Sequence, residues 1–305
     1  MNKRKIILLS ATGILLCVYI LQVILVGKNS VKTFTIKEEP ASYSILANGE
    51  TVILSKENDI WIVSNGKDEK YKANAGFADN IQSNVTEIKS LDVVSHSDSE
   101  TVLERYGLGD GAVKAVALDK NGKEIRTLII GKESSTGSQT YVKIDSGKDI
   151  YLVSGALKSV FGKSVEDLRS KEVYRFDGKE IGKVNINSLA GNWTFETKNS
   201  NTEKPEWTVS GIADKLDDSK ITSWINSLAI LNVETWRNTS QLPKAESTEV
   251  TIYKGEKIIQ VTIYQIAGEV EGEVQYIGTC SETPYSFTLN KYMAGKFLKS
   301  IEELK

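Results

Sequence analysis

The feature that most constrains how this chain can fold is a repeat. Two blocks carry the same succession of segments in the same order. The first runs DIWIVSNG (59–66), an apolar-periodic stretch through Ile81, Val85, Ile88 and Leu91, AVALDKNGKEIRTLII (115–130), QTYV (139–142) and DIYLVSGALKSVFGKSVEDL (149–168). The second runs PEWTVSG (205–211), a stretch through Ile221, Ile225, Leu228 and Leu231, EVTIYKGEKIIQVTI (249–263), VQYI (274–277) and YSFTLNKYMAGKFLKSIEEL (285–304). Trp61 answers Trp207, Leu108 answers Leu242, Tyr141 answers Tyr276, Phe161 answers Phe297 and Leu168 answers Leu304. Tyr151–Leu168 and Phe287–Leu304 correspond without a gap. Shared order over this length implies a duplicated supersecondary unit.

Each copy can be read physically. Ile81, Val85 and Ile88 recur at i, i+4 and i+7, as do Ile221, Ile225 and Leu228, which predicts one apolar helix face in each copy. Asp217 and Asp218 stand where the second helix needs a cap. Asn121-Gly122 lies between two alternating apolar runs, a strong hairpin signal. Lys254-Gly255 makes the matching turn in the second copy. A strand and a helix close each copy, the helix carrying Leu157, Phe161, Val165 and Leu168, or Met293, Phe297, Ile301 and Leu304. Short strands precede each repeat tryptophan. The predicted class is α+β: two related modules of antiparallel sheet with packed helices, residues 29–180 and 181–305, after an N-terminal transmembrane helix.

That helix is predicted from residues 1–28. Ile6 to Gly27 is 22 residues without a charge, about 33 Å as a helix against a hydrocarbon core of about 30 Å. The run lacks the short apolar core and small-residue cleavage site of a removable signal peptide, so an uncleaved signal anchor is expected. Lys3, Arg4 and Lys5 precede it, which predicts a cytoplasmic tip and a single-pass protein of the cell (inner or cytoplasmic) membrane, with its C-terminal bulk extracytoplasmic. The whole chain has a formal charge of −2, but residues 1–28 hold four basic residues and no acid, leaving the remainder near −6. Such a balance gives no electrostatic case for nucleic acid.

The catalytic vocabulary is thin. The chain has one histidine and two cysteines. Cys17 falls in the anchor and Cys280 outside it, so thiolate zinc and CxxC redox sites are excluded in the exported part. His96 lies in Ser95-His96-Ser97-Asp98-Ser99, where sequence neighbours supply no triad geometry, and is expected to be a solvated loop residue. Gly107, Gly109 and Gly111 follow a helical stretch and precede a strand, the reverse of a phosphate-cradling loop, and read as a helix cap and turn. Glu269, Glu271 and Glu273 read as a solvated edge rather than a calcium site. Of five tryptophans, Trp61, Trp207 and Trp224 are expected in the cores, while Trp193 and Trp236 are the candidates for an exposed contact.

Tyr106-Gly107-Leu108, a strand-turn-strand ending Leu128-Ile129-Ile130-Gly131, Tyr141-Val142, Ile150-Tyr151-Leu152-Val153 and the Trp-x-Val segments at Trp61 and Trp207 resemble the bacterial family DUF4340. The resemblance covers most of the chain after the anchor. It implies exported, membrane-tethered proteins without an assigned activity, often encoded beside ABC-type transporters of the gliding-motility or auxiliary-transport kind. It carries no catalytic residues. The second copy departs from it at Ser240-Gln241-Leu242, where the first has Tyr106-Gly107-Leu108.

The expected function is therefore a membrane-anchored extracytoplasmic interaction protein, an accessory of an ABC-type transport or gliding-motility-like complex. No catalytic, cofactor-binding or metal residue is assigned and no cofactor is expected. Expected partners are the membrane, through the N-terminal helix, and ABC-type transporter subunits or other envelope proteins, with no nucleic acid. The alternative is an extracytoplasmic binding module for an envelope glycan or peptide, resting on Trp193 and Trp236.

Overall fold

A computed structural model describes residues 11–22, 32–67, 69–202, 205–212, 215–237, 241–268 and 272–305. Residues 11–22 form a helix, α1. Among the described residues no helix is long and apolar enough to cross a membrane. The transmembrane helix expected over Ile6–Gly27 is corrected accordingly, and the rest of that run lies outside the described residues. Beyond α1 the chain divides into two compact units, residues 1–170 and 171–305.

The α+β expectation is also corrected, because most of the regular structure is antiparallel sheet and the helices are short. The first unit builds a ten-stranded sheet from β1 (Thr33–Thr35), β2 (Ser42–Ala47), β3 (Glu50–Glu57), β4 (Ile60–Ser64), β5 (Lys70–Lys72), β6 (Glu87–Ser95), β7 (Val113–Leu118), β8 (Glu124–Glu133), β9 (Gln139–Ile144) and β10 (Ile150–Ser154). Their order is β1-β6-β10-β9-β8-β7-β2-β3-β4-β5. The helix α2 (Ala75–Thr86) starts where the Asn74 side chain accepts the Phe77 N–H at 3.2 Å. It buries Ala78, Ile81 and Val85 against the sheet. The predicted helix through Ile88 and Leu91 ends early: Glu87 is extended (φ −132, ψ 119) and Ile88 pairs with Phe34 as a strand residue. Its apolar side chain still reaches the core, so helical spacing alone does not reveal the change.

The expected closing helix is two short ones, α4 (Leu157–Phe161) and α5 (Val165–Leu168). Ser164 and Asp167 form a capping box that restarts the second. At the Asp119–Gly122 turn the Asp119 carboxylate accepts the N–H groups of Asn121 and Lys123, each at 2.8 Å, and Gly122 takes φ 77°. These backbone bonds hold the Asp119 carboxyl below its ordinary range.

A further helix, α3 (Glu100–Tyr106), packs on the other face of the sheet, where Tyr141 alternates with the core-facing Thr140 and Val142. The rings of Tyr106 and Tyr141 lie 4.8 Å apart, and the Tyr106 hydroxyl donates to the Val94 carbonyl at 3.2 Å. Gly107 ends α3 in the left-handed conformation, φ 68°. Leu108 is then buried over Gly131, so close that a Cβ there would lie 2.3 Å from the Tyr106 carbonyl oxygen and 3.0 Å from Leu108.

The second unit contains β11 (Glu172–Arg175), β12 (Ile181–Ser188), β13 (Gly191–Thr197), β14 (Trp207–Ser210), α6 (Asp218–Ser227), β15 (Ile230–Asn232), β16 (Thr235–Arg237), β17 (Ser247–Lys254), β18 (Lys257–Ala267), β19 (Val274–Cys280), β20 (Thr283–Leu289) and α7 (Lys291–Phe297). Its main sheet runs β14-β13-β12-β17-β18-β19-β20-β16, while β11 pairs with β15. The same succession in the first unit reads β4-β3-β2-β7-β8-β9-β10-β6. Register agrees as well, since Ile45 faces Val52 and Ala115 where Ile186 faces Trp193 and Val250.

The small polar contacts repeat too. Trp61 donates to Asp79 on α2 at 2.7 Å, and Trp207 donates to Thr222 on α6 at 3.0 Å. The N-cap residues Asn74 and Asp217 send their own N–H to the Leu168 and Leu304 carbonyls, at 2.7 and 2.9 Å. The Ser164–Asp167 box has its counterpart in Ser300 and Glu303, opening a 3₁₀ turn over Ile301–Leu304. Neither α3 nor the edge strand β5 has a counterpart among the described residues, and Leu242, which answers the buried Leu108, is 43% exposed.

Candidate functional site

The best-formed apolar groove lies in the second unit, at the end of β12 and β13. These strands join through the two-residue turn Leu189-Ala190, with Ser188 facing Gly191. The ring of Trp193 lies over Gly191, where a Cβ would sit 3.2 Å from the indole, and against Gly211, where it would sit 3.5 Å away. Both glycines have positive φ, 144° and 88°, so a side chain there would meet strain as well as the ring. The groove extends from Trp193 to the chain after α7, with Leu189, Leu298 and Ile301 as apolar walls and Glu246 and Gln265 among its polar groups. Its volume is about 450 Å³. At the equivalent register position the first unit has Val52, which is fully packed in its core.

The five tryptophans divide by the fate of their indole N–H. Trp61, Trp207 and Trp224 donate to Asp79, Thr222 and the Lys296 carbonyl, the last at 2.8 Å. Trp236 stands edge-on to Tyr285 and Phe287, with ring centroids 6.2 and 6.1 Å away, on β16 at the opposite edge of the sheet from β14. Trp193 donates to no described residue and lines the groove, so its indole N–H is available to a ligand. The two tryptophans singled out in the sequence are therefore not brought together.

Leu189, 76% exposed, is a candidate that sequence reasoning missed. A signal was present. The equivalent turn in the first unit is Asn48-Gly49, both at positive φ, whereas an apolar residue in a turn has no core to enter.

The remaining candidates do not assemble a reaction centre. His96 Nδ1 lies 2.9 Å from Asp149 Oδ1, and the Tyr151 hydroxyl donates to the other carboxylate oxygen at 3.2 Å. The His96 hydrogen bond chiefly holds the Asp149 carboxyl below its usual range, with help from Tyr151 and Lys32. No hydroxyl of a described serine bonds the ring: Ser95 donates to the Ser97 carbonyl, and Asp98 pairs with Lys143 at 3.6 Å. An exposed His–Asp pair without a nucleophile lacks the arrangement needed for acyl transfer.

Cys280 is buried, and burial pushes its thiol up to about 11, which suppresses the reactive thiolate. Glu269 and Glu271 lie outside the described residues, and no described group of three or more His, Cys, Asp or Glu side chains could hold a metal ion. Gly107 caps α3 and Gly111 has φ 85°, while Gly109 packs near Glu104, so the three glycines shape a turn before β7.

Residues 61–249 match the model of a family described as a domain of unknown function, DUF4340. The match begins at Trp61 on β4 and ends at Glu249 on β17, so it includes parts of both units. No curated protein and no solved structure matches the chain.

Proposed function

The chain belongs to the DUF4340 family, and from that premise we propose that it is a non-enzymatic interaction protein, an accessory of an ABC-type transport or gliding-motility-like complex. The observation that carries this reading is the groove at Trp193, where an indole donor that bonds no described residue and the exposed Leu189 flank an opening of about 450 Å³. Buried aromatic anchors with a polar handle are what partner surfaces are built from. The transport context comes from the family resemblance alone.

The location that accompanies this reading is the extracytoplasmic side of the cell membrane. It is supported by the basic residues Lys3, Arg4 and Lys5 before the uncharged run in the sequence, and by no described helix. A photoreactive residue at Leu189 in the full chain should crosslink transporter subunits in cells, and Trp193→Ala should remove the adduct. A chain that crosslinks nothing, or crosslinks equally after Trp193→Ala, refutes the reading.

One observation favours the alternative of a glycan-binding module. Alternating with Trp193, on the other face of β12, β13 and β17, Asn185, Asn187, Asn192, Thr194 and Thr251 form a row of hydrogen-bonding side chains with Glu249 as its one described carboxylate. Retention of the wild-type chain on purified cell-wall fragments, lost in Trp193→Ala, would select this alternative.

A further inference from the structure

A second groove of the same unit, between α6 and α7, has a different character. About 600 Å³ in volume, it is lined by Lys220, Lys291, Lys296 and Lys299, with Glu303 the one carboxylate among its described lining side chains. Residues 171–305 as a whole hold 16 Lys and Arg against 19 Asp and Glu. The groove thus concentrates positive charge in a unit of net charge −3.

The pairing of these lysines is uneven. Lys299 pairs with Glu303 at 2.8 Å and Lys220 donates to the Lys305 carbonyl, while Lys291 and Lys296 form no ion pair with a described carboxylate. The Lys296 ammonium lies 5.4 Å from the Tyr292 ring, and burial together with the nearby Arg175 charge lowers its affinity for a proton. Lys291 opens α7, where the positive end of the helix dipole disfavours a cation. Neither of these two charges is neutralised by a described carboxylate.

The facing wall comes from α6, whose Ser219, Ser223 and Ser227 recur every four residues along one side. Ser227 donates to the Trp224 carbonyl, but the hydroxyls of Ser219 and Ser223 bond no described residue.

The first unit supplies an internal comparison. Aligned on the caps Asn74 and Asp217, Lys220 is replaced by Phe77 and Ser223 by Asn80. Along the gapless closing segment, Lys291 is replaced by Gly155 and Lys296 by Val160. Only Lys299 has a basic counterpart, Lys163, and its ammonium lies over the Phe77 ring at 4.6 Å. Duplicated scaffolds with the same caps therefore differ at the positions that make one groove basic.

We propose that the α6–α7 groove of the second unit binds a phosphate-bearing anion. Lysines act as point charges that accept a tetrahedral oxyanion in several orientations, and the free serine hydroxyls add donors. Among the described lining residues no arginine offers the planar fork suited to a carboxylate. Lys299 borders both grooves, but Trp193 does not line this one and Lys291 and Lys296 do not line the other, so tests on those residues separate this site from the proposed accessory role.

Two sources of the phosphate, a lipid headgroup and a soluble phosphate, are distinguished by testing the full chain on two probes. One is vesicles of phosphatidylcholine with and without one-third phosphatidylglycerol, scored as the excess binding to the anionic vesicles. The other is inorganic pyrophosphate, followed by calorimetry. Lys291→Gln with Lys296→Gln should weaken whichever interaction the wild type shows, roughly fivefold per lysine at a lipid surface. Lys120→Gln with Lys123→Gln, at the exposed Asp119–Gly122 turn of the first unit, makes the same change in net charge and should leave binding intact. A response confined to anionic vesicles assigns a headgroup, and a response to pyrophosphate assigns a soluble phosphate; either supports the site. Binding to neither probe, or equal loss in both double variants, overturns it. Unchanged melting curves for the variants establish that the chain remains folded.

Discussion

Replacing Gly131 by Ala tests whether the Tyr-Gly-Leu segment shared with the family is a packing device. Gly131 is not in the left-handed region, so alanine is compatible with its backbone, and removing a mid-strand glycine should by itself stabilise by about 0.5–1 kcal/mol. The added methyl would lie 2.3 Å from the Tyr106 carbonyl oxygen, roughly 1 Å inside ordinary contact, and backbone cannot rotate away as a side chain can. Overpacking of this kind costs about 1–3 kcal/mol. If α3 lifts, the Tyr106–Tyr141 ring contact, about 0.5–1.5 kcal/mol, and the Tyr106–Val94 hydrogen bond, about 0.5–1.5 kcal/mol, are lost as well. The balance is a net destabilisation of about 1–5 kcal/mol. Urea unfolding of the full chain with hydrogen exchange read on residues 100–108 and 139–144 should show it as early loss of protection. The second variant, Leu108→Ala, removes the 3.0 Å side-chain neighbour but leaves the carbonyl. Combining the two substitutions should therefore be no better than either alone. A Gly131→Ala protein as stable as wild type, or one rescued by Leu108→Ala, would refute a backbone clash.

The repeat tryptophans give a paired test. Asp79→Ala removes a carboxylate acceptor from Trp61 and should cost about 1.5–2 kcal/mol, toward the low end for a charged acceptor because Asp79 is exposed. Thr222→Val removes a neutral acceptor from Trp207 and should cost about 0.5–1.5 kcal/mol. Urea midpoints in the opposite order would contradict this assignment. Glu303 accepts from Lys299 and from the Ser300 N–H and hydroxyl, which bring its carboxyl to about 2 from an ordinary 4.5. A depressed carboxylate stabilises above its unfolded value and loses that stabilisation as pH falls from about 4.5 to about 2. Exposure and screening limit the gain to under about 1 kcal/mol. The stability difference between wild type and Glu303→Gln should be near zero at pH 2 and level off by about pH 5; a difference independent of pH would show that the carboxylate charge is not involved.

Much of the sheet was legible because strand signals are local. Asn121-Gly122 marks a hairpin by its own chemistry, and the matching apolar positions keep that hairpin in both copies. Helical periodicity was less reliable. It ran past Thr86 into β6 and past Ser227 into β15, because Ile88 and Leu231 stay buried when the period changes from 3.6 to 2. It also aligned Ile81 with Ile221, whereas the caps Asn74 and Asp217 and the partners Asp79 and Thr222 align Ala78 with Ile221 and Ile81 with Trp224. The difference is three residues, nearly one turn, and an apolar stripe looks alike after one turn. Trp193 was legible as a tryptophan without a repeat counterpart. The α6–α7 groove was not, because Lys220 and Lys291 are far apart in sequence and each alone resembles an ordinary surface lysine.

The two copies differ in a way that bears on which of them meets a ligand. The first retains Tyr106, Gly107, Leu108 and Gly131, whose contacts fix α3 across one sheet face. It also fills the Val52 position with core and lets Phe77 and Lys163 stack between its helices. In the second, Tyr264 stands in register where Gly131 does and no described helix answers α3, while Trp193 and the unpaired lysines border two open grooves. Sheet order, caps and the tryptophan–helix bonds survive in both, so neither difference was needed to preserve the fold. The Tyr-Gly-Leu part of the family resemblance, which the second copy lacks, is therefore a packing node of the first. The two proposed sites should instead follow the residues at which the second copy departs from the first: exchanging Trp193 for the first copy's Val52 equivalent should remove only the partner crosslink, and exchanging Lys296 for its Val160 equivalent should weaken only the anion binding, while cooperative unfolding stays in place. Loss of folding together with binding would show that these side chains serve the core after all.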